Sequence, residues 1–389
     1  CMDDMSNQAL RRSAMKKIIV ELFEKQQYSV SCYNAVLREI SKPLFKRFED
    51  DLEKVREYAY KIFNLLVSHC GDVQPVLPYY IPALVHRLPS PISYDEEMKV
   101  FVFDMEAHDA YRRGKAIARQ DNPSSVADVS MNTYFCGGKE TSEEIRLMAC
   151  QGLSLVIRRA ISIGACHIIH PFFHEIILFL QAQLRDTFPD LKVEALQTIQ
   201  ILADQTDYVI GMKYFAVALS RSILPVLRHR HAKVRAAAVS CIRATIAVPD
   251  ADKCKGSGTE AIMDLVGFRE ENNLSVASFY VSEIRINYLA ELVVDNSVAV
   301  RENLVVLLTV LLTLIGDRYD HQNRLLPYLL DLLCDDTPSV ADSALKCLKY
   351  CGQQYEDEHG DDIIEKRQYG VDGDDSKINL DKPPVAPFI

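Results

Sequence analysis

The chain has 389 residues, of which 48% are hydrophobic and 25% charged, so it has enough apolar residues for a folded core. Its net charge of −10 argues against nucleic acid or an anionic membrane as the main partner and favours a protein partner. No apolar run reaches the ~20 residues of a membrane span and no signal peptide is evident, so we expect a soluble protein.

Eleven cysteines are scattered along the chain without a C-x-x-C pair, which is typical of reduced thiols in a cytosolic or nuclear protein. The chain opens at Cys1 and closes on a proline-rich stretch from Lys382, as a piece of a longer protein would. Signals for localisation could then lie outside it.

A helix motif recurs along the chain: an acidic or polar start, about five residues, an aliphatic anchor, usually an arginine, and then an alanine three residues later. It is clearest in DDLEKVREYA at residues 50–59. A period of ~40–47 residues is typical of HEAT or armadillo repeats. The anchors are Leu10, Val55, Ile145, Val193, Val234, Val300 and Val340, which are 45, 90, 48, 41, 66 and 40 residues apart.

Between the anchors lie segments with apolar residues at helical spacing, at residues 76–88, 171–184, 208–227 and 325–333. They predict a second helix in each repeat. The acidic or polar residue should cap the motif helix, the anchor should fill the core, and the alanine should allow close approach. Because a lone helix pair cannot bury its apolar stripe, repeats must stack. The predicted fold is all-α, a right-handed α-solenoid of roughly seven HEAT (armadillo-like) repeats with a concave surface.

The two longest anchor spacings contain sequence unlike packed helix, with Pro-Ser-Pro, Asn-Pro-Ser-Ser and Gly-Gly in the first and Gly-Ser-Gly in the second. We interpret both as insertions in a regular array. Strand-like alternation occurs only at residues 98–103. The predicted order is N-terminal repeats (1–88), an irregular insertion (89–140), central repeats (141–248), a loop insertion (249–273), C-terminal repeats (274–355) and an acidic, flexible tail (356–389).

In the first insertion, Asp104, Glu106 and Asp109 lie near His108, and such groups can do acid–base work when they are buried together. In a charged, irregular segment, solvated side chains are the favoured interpretation.

In the central repeats, His167, His170 and His174 lie near Cys166 and Glu175, the densest group of possible metal ligands. A zinc site needs three or four ligands at one point. A proline between the histidines predicts that they lie on different elements, so we favour a helix junction over a metal site.

Three further segments have simple interpretations. His229 and His231 are expected in a basic inter-helix loop before Val234. Residues 255–259, Lys-Gly-Ser-Gly-Thr, lack the spacing of a phosphate-binding loop and predict a flexible insertion. The acidic residues of the tail favour a solvated segment over a docking tail.

A series of arginines follows the anchors, and two interpretations stay open for it. It could line one edge of the solenoid for an acidic partner, or it could bind acidic groups of neighbouring repeats as a structural ladder, which we favour. The series is Arg11, Arg56, Arg146, Arg235 and Arg301.

The motifs of common enzyme and metal sites are missing from the sequence. No G-x-S-x-G, H-E-x-x-H or paired-cysteine signature occurs, so we predict no catalytic, cofactor-binding or metal-binding residue.

Residues 316–363, GDRYDHQNRLLPYLLDLLCDDTPSVADSALKCLKYCGQQYEDEHGDDI, resemble the closing repeats of the HEAT-repeat axonemal dynein assembly factor family, with their "RDRY", "LLPLLL", "D-x-x-P-x-V" and "GxQYxxE" features. Residues 223–242, ILPVLRHRHAKVRAAAVSCI, resemble its "H-x-KVR-x-AA" repeat. The resemblance covers residues 142–363, and the N-terminal repeats follow in pattern. The two insertions depart from the family, as does Ala341, which replaces the expected arginine.

The resemblance implies a cytoplasmic factor that helps axonemal dynein heavy and intermediate chains assemble before transport into cilia or flagella, together with other assembly factors or chaperones. It implies protein binding as the only chemistry, with no enzyme activity, nucleotide, metal or other cofactor. Alternatives are a nuclear transport receptor, a phosphatase-type HEAT scaffold or, from another class, a metal-dependent hydrolase using the histidine cluster. The absence of Trp argues against the Trp/Asn ladder of armadillo import adaptors.

Overall fold

A computed structural model describes residues 8–25, 27–85, 87, 92–95, 100–103, 140–248, 262, 264–266, 287–315 and 318–369. They divide into two compact units, residues 1–222 and residues 223–389. Each unit consists of helix pairs stacked in two layers. This stacking confirms the predicted all-α solenoid class. No helix within these ranges is long and apolar enough to cross a bilayer.

In the first unit, α1, α3, α5 and α7 pack side by side in one layer, and α2, α4 and α6 form the second layer. Helix α1 continues into a π-helical turn at Val20–Glu24, and short 3-10 turns precede α4 and α6. The helices are α1 (Gln8–Ile19), α2 (Val30–Lys46), α3 (Glu53–His69), α4 (Leu77–Val85), α5 (Glu143–Ser162), α6 (Phe173–Leu184), α7 (Pro189–Asp204), α8 (Val209–Met212) and α9 (Ala216–Ile223).

The second unit repeats the same arrangement. Its first layer contains α10, α12 and α14, and its second layer contains α11, α13 and the 3-10 segment Leu224–Arg228. The helices are α10 (Ala232–Ile246), α11 (Tyr288–Val293), α12 (Val298–Thr313), α13 (Arg318–Leu332) and α14 (Pro338–Tyr369).

The last helix continues past residue 355, where we expected the repeats to end and a flexible tail to begin. Helix α14 has a non-helical residue at His359 and reaches Tyr369. The rings of Tyr355 and His359 stack at 4.3 Å, and Glu358 pairs with Arg318 of α13. These contacts hold the helix in place beyond the last repeat motif.

A short antiparallel hairpin lies within the first insertion. Strand β1 (Ile92–Asp95) pairs with β2 (Val100–Phe103) so that Ile92 faces Phe103 and Asp95 faces Val100. The backbone of β2 runs beside α6. The alternation at residues 98–103 therefore belongs to a strand in a segment that we expected to be irregular, since cross-strand pairing needs a partner that periodicity alone does not reveal.

Burial confirms most of the predicted anchors and corrects two of them. Val55, Ile145, Val234, Val300 and Val340 are at most 1% exposed.

The two exceptions lie on α1 and α7. Leu10 is 47% exposed, and α1 instead contributes Met15 and Ile19 to the core. On α7 the buried anchor is Leu191, not Val193, because Leu191 lies directly before the residue at the arginine position, as Val55 lies before Arg56.

The predicted capping role of the acidic residues is also corrected. Asp50 lies two residues before Leu52, the N-cap of α3, and accepts the Leu52 backbone N–H at 3.1 Å. The acid therefore orders the loop before the helix, and it does not bind the first free N–H groups inside the helix as a side-chain cap would.

Candidate protein-binding surface

The predicted arginines form a ladder of ion pairs between consecutive repeats. Arg56 of α3 makes a two-point contact with Glu140, at 2.6 Å from Nε to Oε2 and 2.9 Å from Nη2 to Oε1. Such planar pairs fix both distance and orientation. Each rung thus joins its own motif helix to the loop before the next one. Its rungs are Arg11–Asp50, Arg56–Glu140, Arg146–Asp186, Arg235–Asp295 and Arg301–Asp335.

Each ladder arginine after the first also closes the loop that precedes its own helix. The Nη1 group of Arg146 donates to the carbonyls of Glu140 and Thr141 at 3.0 and 3.1 Å. Arg235 makes the same two contacts with His229 and Arg230. The guanidinium groups of these arginines therefore use their N–H donors in contacts within the fold. Of the two interpretations that the sequence left open, the structure supports the structural ladder.

The acid of each rung has a second partner in the backbone. Glu140 accepts the backbone N–H of Ser142, and Asp335 accepts that of Thr337. Burial raises the pKa of the Glu140 carboxyl, but the contacts with Arg56 and the Ser142 N–H outweigh it, and the net pKa is lowered. At Asp335 the hydrogen bond from Arg301 is the main cause of a lowered pKa. The folded chain thus favours the charged form of these two carboxylates.

A second arginine reinforces the first two rungs. Arg47 lies 3.0 Å from Asp50, whose side chain is fully buried, and Arg11 contacts the same carboxylate. Arg87 approaches Glu140 at 3.1 Å beside Arg56. Burying one of these charges without its partners would be costly, so each cluster depends on all its members.

Two positions in the ladder register lack an arginine. Lys192 replaces it on α7 and donates from Nζ to the Leu184 carbonyl at 2.6 Å, while burial lowers the pKa of its ammonium group. Ala341 on α14 has no side-chain charge.

An open groove of about 600 Å³ lies between α5 and α7, neighbouring helices of the same layer. Amide, aliphatic and charged side chains line it near the C-terminal ends of both helices. Two residues after the end of α5 lies Gly164, whose φ of 67° is in the left-handed region that favours glycine. The groove offers hydrogen-bonding groups above an aliphatic base. Its principal lining residues are Arg158, Ile161, Gln197, Gln200, Ile201 and Asp204.

The histidine cluster spans the junction before α6, with His174 in the first turn of that helix. The Nε2 atom of His170 is 3.1 Å from the Asp207 carbonyl, and the His174 ring packs edge-on against Phe215 at 5.5 Å. His167 and His170 are exposed, whereas Cys166 is buried. Within the part of the chain that the structure describes, no three His, Cys, Asp or Glu side chains are grouped to hold a metal ion.

The remaining predicted segments divide between described and undescribed parts of the chain. His229 and His231 lie in the loop before α10, where the His231 N–H donates to His229 Nδ1 at 3.2 Å. Two candidate groups lie outside the described residues: the acid–base group at Asp104, Glu106, His108 and Asp109, and the Gly-Ser-Gly segment at residues 255–259.

The groove was missed from sequence. One wall of the groove could be predicted, because helical spacing places Gln197, Gln200 and Asp204 on one side of α7. The opposite wall lies on another repeat. Only the stacking of α5 on α7 brings the two walls together.

Comparison with known proteins gives one consistent match. A family profile described as "Dynein axonemal assembly factor 5-like, TPR repeats" matches residues 1–105, 135–260 and 276–366. Dynein axonemal assembly factor 5 of Xenopus laevis is 24% identical over 372 residues, covering 95% of this chain and 34% of that protein. The Homo sapiens protein of the same name is 23% identical, covering 74% of this chain and 30% of that protein. The chain therefore spans about a third of the length of the curated relatives it matches.

Solved structures show weaker similarity. An engineered protein is 14% identical with a TM-score of 0.45, covering 81% of this chain and 99% of that one. A chain from a structure of Kap95p binding to RanGDP is 14% identical with a TM-score of 0.32, covering 92% of this chain and 46% of that one. These values are too low to bear on function.

Proposed function

Because the chain belongs to the dynein axonemal assembly factor 5-like family, we propose that it is a non-catalytic protein-binding scaffold that acts in the assembly of axonemal dynein arms. The observation that carries the proposal is the family match over three ranges that together take in most of the chain. The names of the similar proteins from Xenopus laevis and Homo sapiens support the same role.

The architecture suits such a role physically. Within each unit, a rung fixes the distance and orientation of the two repeats that it joins, so side chains on that part of a helical layer keep a constant spacing. A preorganised surface of this kind reduces the entropy lost when a partner binds. The groove between α5 and α7 adds amide and charged groups to that surface.

The partners that we propose are axonemal dynein heavy and intermediate chains, together with other assembly factors or chaperones. We propose that binding takes place in the cytoplasm, before the dynein is transported to the cilium or flagellum. Reversible contacts suit a factor that releases its client after assembly. The proposed role needs no nucleotide, metal or other cofactor.

The experiment is removal of the protein from cells that build motile cilia. We expect cilia to form but beat poorly, with dynein arms missing and dynein heavy chains depleted in the cytoplasm. Re-expression of the whole protein should restore the arms. Intact arms after complete removal would contradict the proposal. Altered nuclear import or phosphatase targeting with normal arms would point to another class of scaffold.

A further inference from the structure

We propose that the groove between α5 and α7 binds an extended polypeptide segment of a client protein, with a basic side chain of that segment placed against Asp204. The inference deepens the proposed function and rests on it for the identity of the client. Its physical basis is the combination of amide side chains, an aliphatic base and separated charges in one groove.

The amides favour an extended backbone over a helix. Gln197 and Gln200 belong to α7 and line the groove, and Gln205 follows directly after the helix. Each amide group has both a donor and an acceptor. In this structure Gln200 Nε2 donates to Asp204 Oδ2 and Gln205 Nε2 donates to Asp207 Oδ2, each over a long 3.3 Å, so a bound segment would exchange these contacts for its own. An extended segment has main-chain N–H and C=O groups free to meet such groups, whereas a helix has already paired its own. Amide contacts to the main chain also tolerate variation in the sequence of the client.

The aliphatic base favours the same occupant. Ile161 of α5 and Ile201 of α7 are half-buried in the groove. In an extended segment, successive side chains point to opposite sides, so alternate residues can pack on these isoleucines while the others face solvent. We therefore expect the bound segment to show a period of two in its contacts.

The charges give the segment a preferred direction. Asp204 is the last residue of α7 and is exposed, and the C-terminal ends of both helices lie at this end of the groove. The partial negative charge of helix C-termini adds to that of the carboxylate and favours a lysine or arginine. Arg158 lies about one turn before the end of α5 and favours an acidic residue further along the segment.

Neighbouring contacts keep the groove in shape without a ligand. The Arg146–Asp186 rung joins the start of α5 to the loop before α7, with contacts of 2.7 and 3.0 Å. At the opposite end, the Ala165 N–H donates to the Ala160 carbonyl at 2.9 Å and closes the last turn of α5 around Gly164. Both ends of the α5 wall are thus held, so a ligand would not have to order the groove.

The test is selection of peptides from a displayed library of random ten-residue sequences on the whole protein. We expect the selected peptides to share a lysine or arginine at a fixed position. The best of them, made synthetically, should bind Asp204→Lys roughly tenfold more weakly than the unchanged protein, about the loss of one charge-assisted contact with added repulsion. Asp342→Lys, which makes the same change on the exposed face of α14, is the matched control and should bind as the unchanged protein does.

Methylation of single backbone nitrogens in the selected peptide tests the extended conformation. We expect binding to weaken at every second position, by roughly fivefold at each sensitive site. Sensitivity at every third or fourth position would indicate a helical ligand and overturn the proposal. Equal binding to the Asp204→Lys and Asp342→Lys proteins would also overturn it, as would a library with no selected sequence.

These outcomes are independent of the proposed function, because no dynein chain is present in the assay. If peptides bind as expected but removal of the protein leaves dynein arms intact, the groove stands and the assembly role is wrong. If the arms are lost but no peptide binds, the assembly role stands and the groove is not the binding site.

Discussion

At the scale of single residues, the ladder shows why arginine and not lysine occupies most of its positions. Arg56 binds Glu140 through Nε and Nη2 and the loop carbonyl of Asp50 through Nη1. A planar group with five donors can serve both directions, whereas an ammonium group makes a single point contact. Lys192 illustrates the difference, since its contact is with a carbonyl in its own repeat pair.

We therefore predict that Arg235→Lys is not a conservative change. Arg235 and Asp295 are 17% and 8% exposed, so the lost contacts are largely shielded from water. We expect a loss of about 1.5–3 kcal/mol, measured by urea unfolding. Arg228→Lys is the control, because its pair with Glu291 is about half exposed and should change stability by less than about 1 kcal/mol. Equal effects would show that the rung is not a structural contact.

The carboxylates of the ladder also predict a direction for the effect of acid. The pKa of Asp335 is lowered in the folded chain, chiefly by Arg301. Its stabilisation is therefore complete above the unfolded pKa near 4 and is lost as the pH falls through the folded value. We expect the urea midpoint to fall as the pH is lowered from about 5 to about 3.

The Asp335→Asn protein should be less stable at neutral pH and should lose less of its stability in acid. Asp342→Asn, an exposed change on the same helix, should keep the full acid dependence. The same decline in all three proteins would exclude Asp335 as a source of it.

At the scale of helices, close approach of α3, α4 and α5 depends on Gly152. An added Cβ at this position would lie 2.5 Å from Asn64 Oδ1 and 2.7 Å from the Tyr80 hydroxyl. Those two side chains donate to the carbonyls of Met148 and Ala149 on α5. The glycine thus allows polar side chains of two neighbouring helices to reach the α5 backbone.

We predict that Gly152→Ala is destabilising even though alanine favours helix. The clash should cost about 1–3 kcal/mol in urea unfolding, more than the ~1 kcal/mol that alanine gains over glycine in a helix. Gly352→Ala on α14 is the matched control, since nothing lies within 4 Å of its added Cβ, and it should be neutral or stabilising. A stabilised Gly152→Ala protein would show that α5 can shift to accept the methyl group.

The sequence predicted the helix pairs and the ladder arginines because both follow from local spacing. It misplaced the α7 anchor at Val193 because two aliphatic residues flank Lys192, and only burial shows that Leu191 faces the core. An acid before a helix can bind either the N-terminus of that helix or an arginine of the preceding repeat, and from the sequence we expected the first partner. Glu140 binds Arg56, which lies 84 residues earlier across an insertion, so local spacing does not reveal the pair.

The spacing of the anchors in this chain matches HEAT repeats and not TPR repeats. The family profile is described by TPR repeats, which have a period of 34 residues. Here the corrected anchors Ile145, Leu191 and Val234 are 46 and 43 residues apart, which is HEAT-like spacing. The repeat unit of this chain is accordingly longer than a TPR unit.

At the scale of the whole molecule, substitutions on the binding surface and in the core should have different effects on partner binding and stability. We predict that Asp204→Lys lowers the recovery of dynein chains with the protein from cytoplasmic extract, while its urea midpoint stays unchanged. Val234→Asp, which places a charge at a fully buried anchor, should lower both by costing several kcal/mol. Reduced stability in the Asp204→Lys protein would place that residue in the fold and not in the binding surface.

The contact between Arg87 and Glu140 has a consequence for how the chain tolerates foreign sequence. These residues are 53 positions apart, yet their side chains meet at 3.1 Å, so the two ends of the segment between them lie close together. The entropy of closing a loop grows only with the logarithm of its length. A shorter linker or a whole fluorescent domain could therefore replace residues 104–139 at little cost in loop-closure entropy, provided that the β1–β2 hairpin, Arg87 and Glu140 are kept.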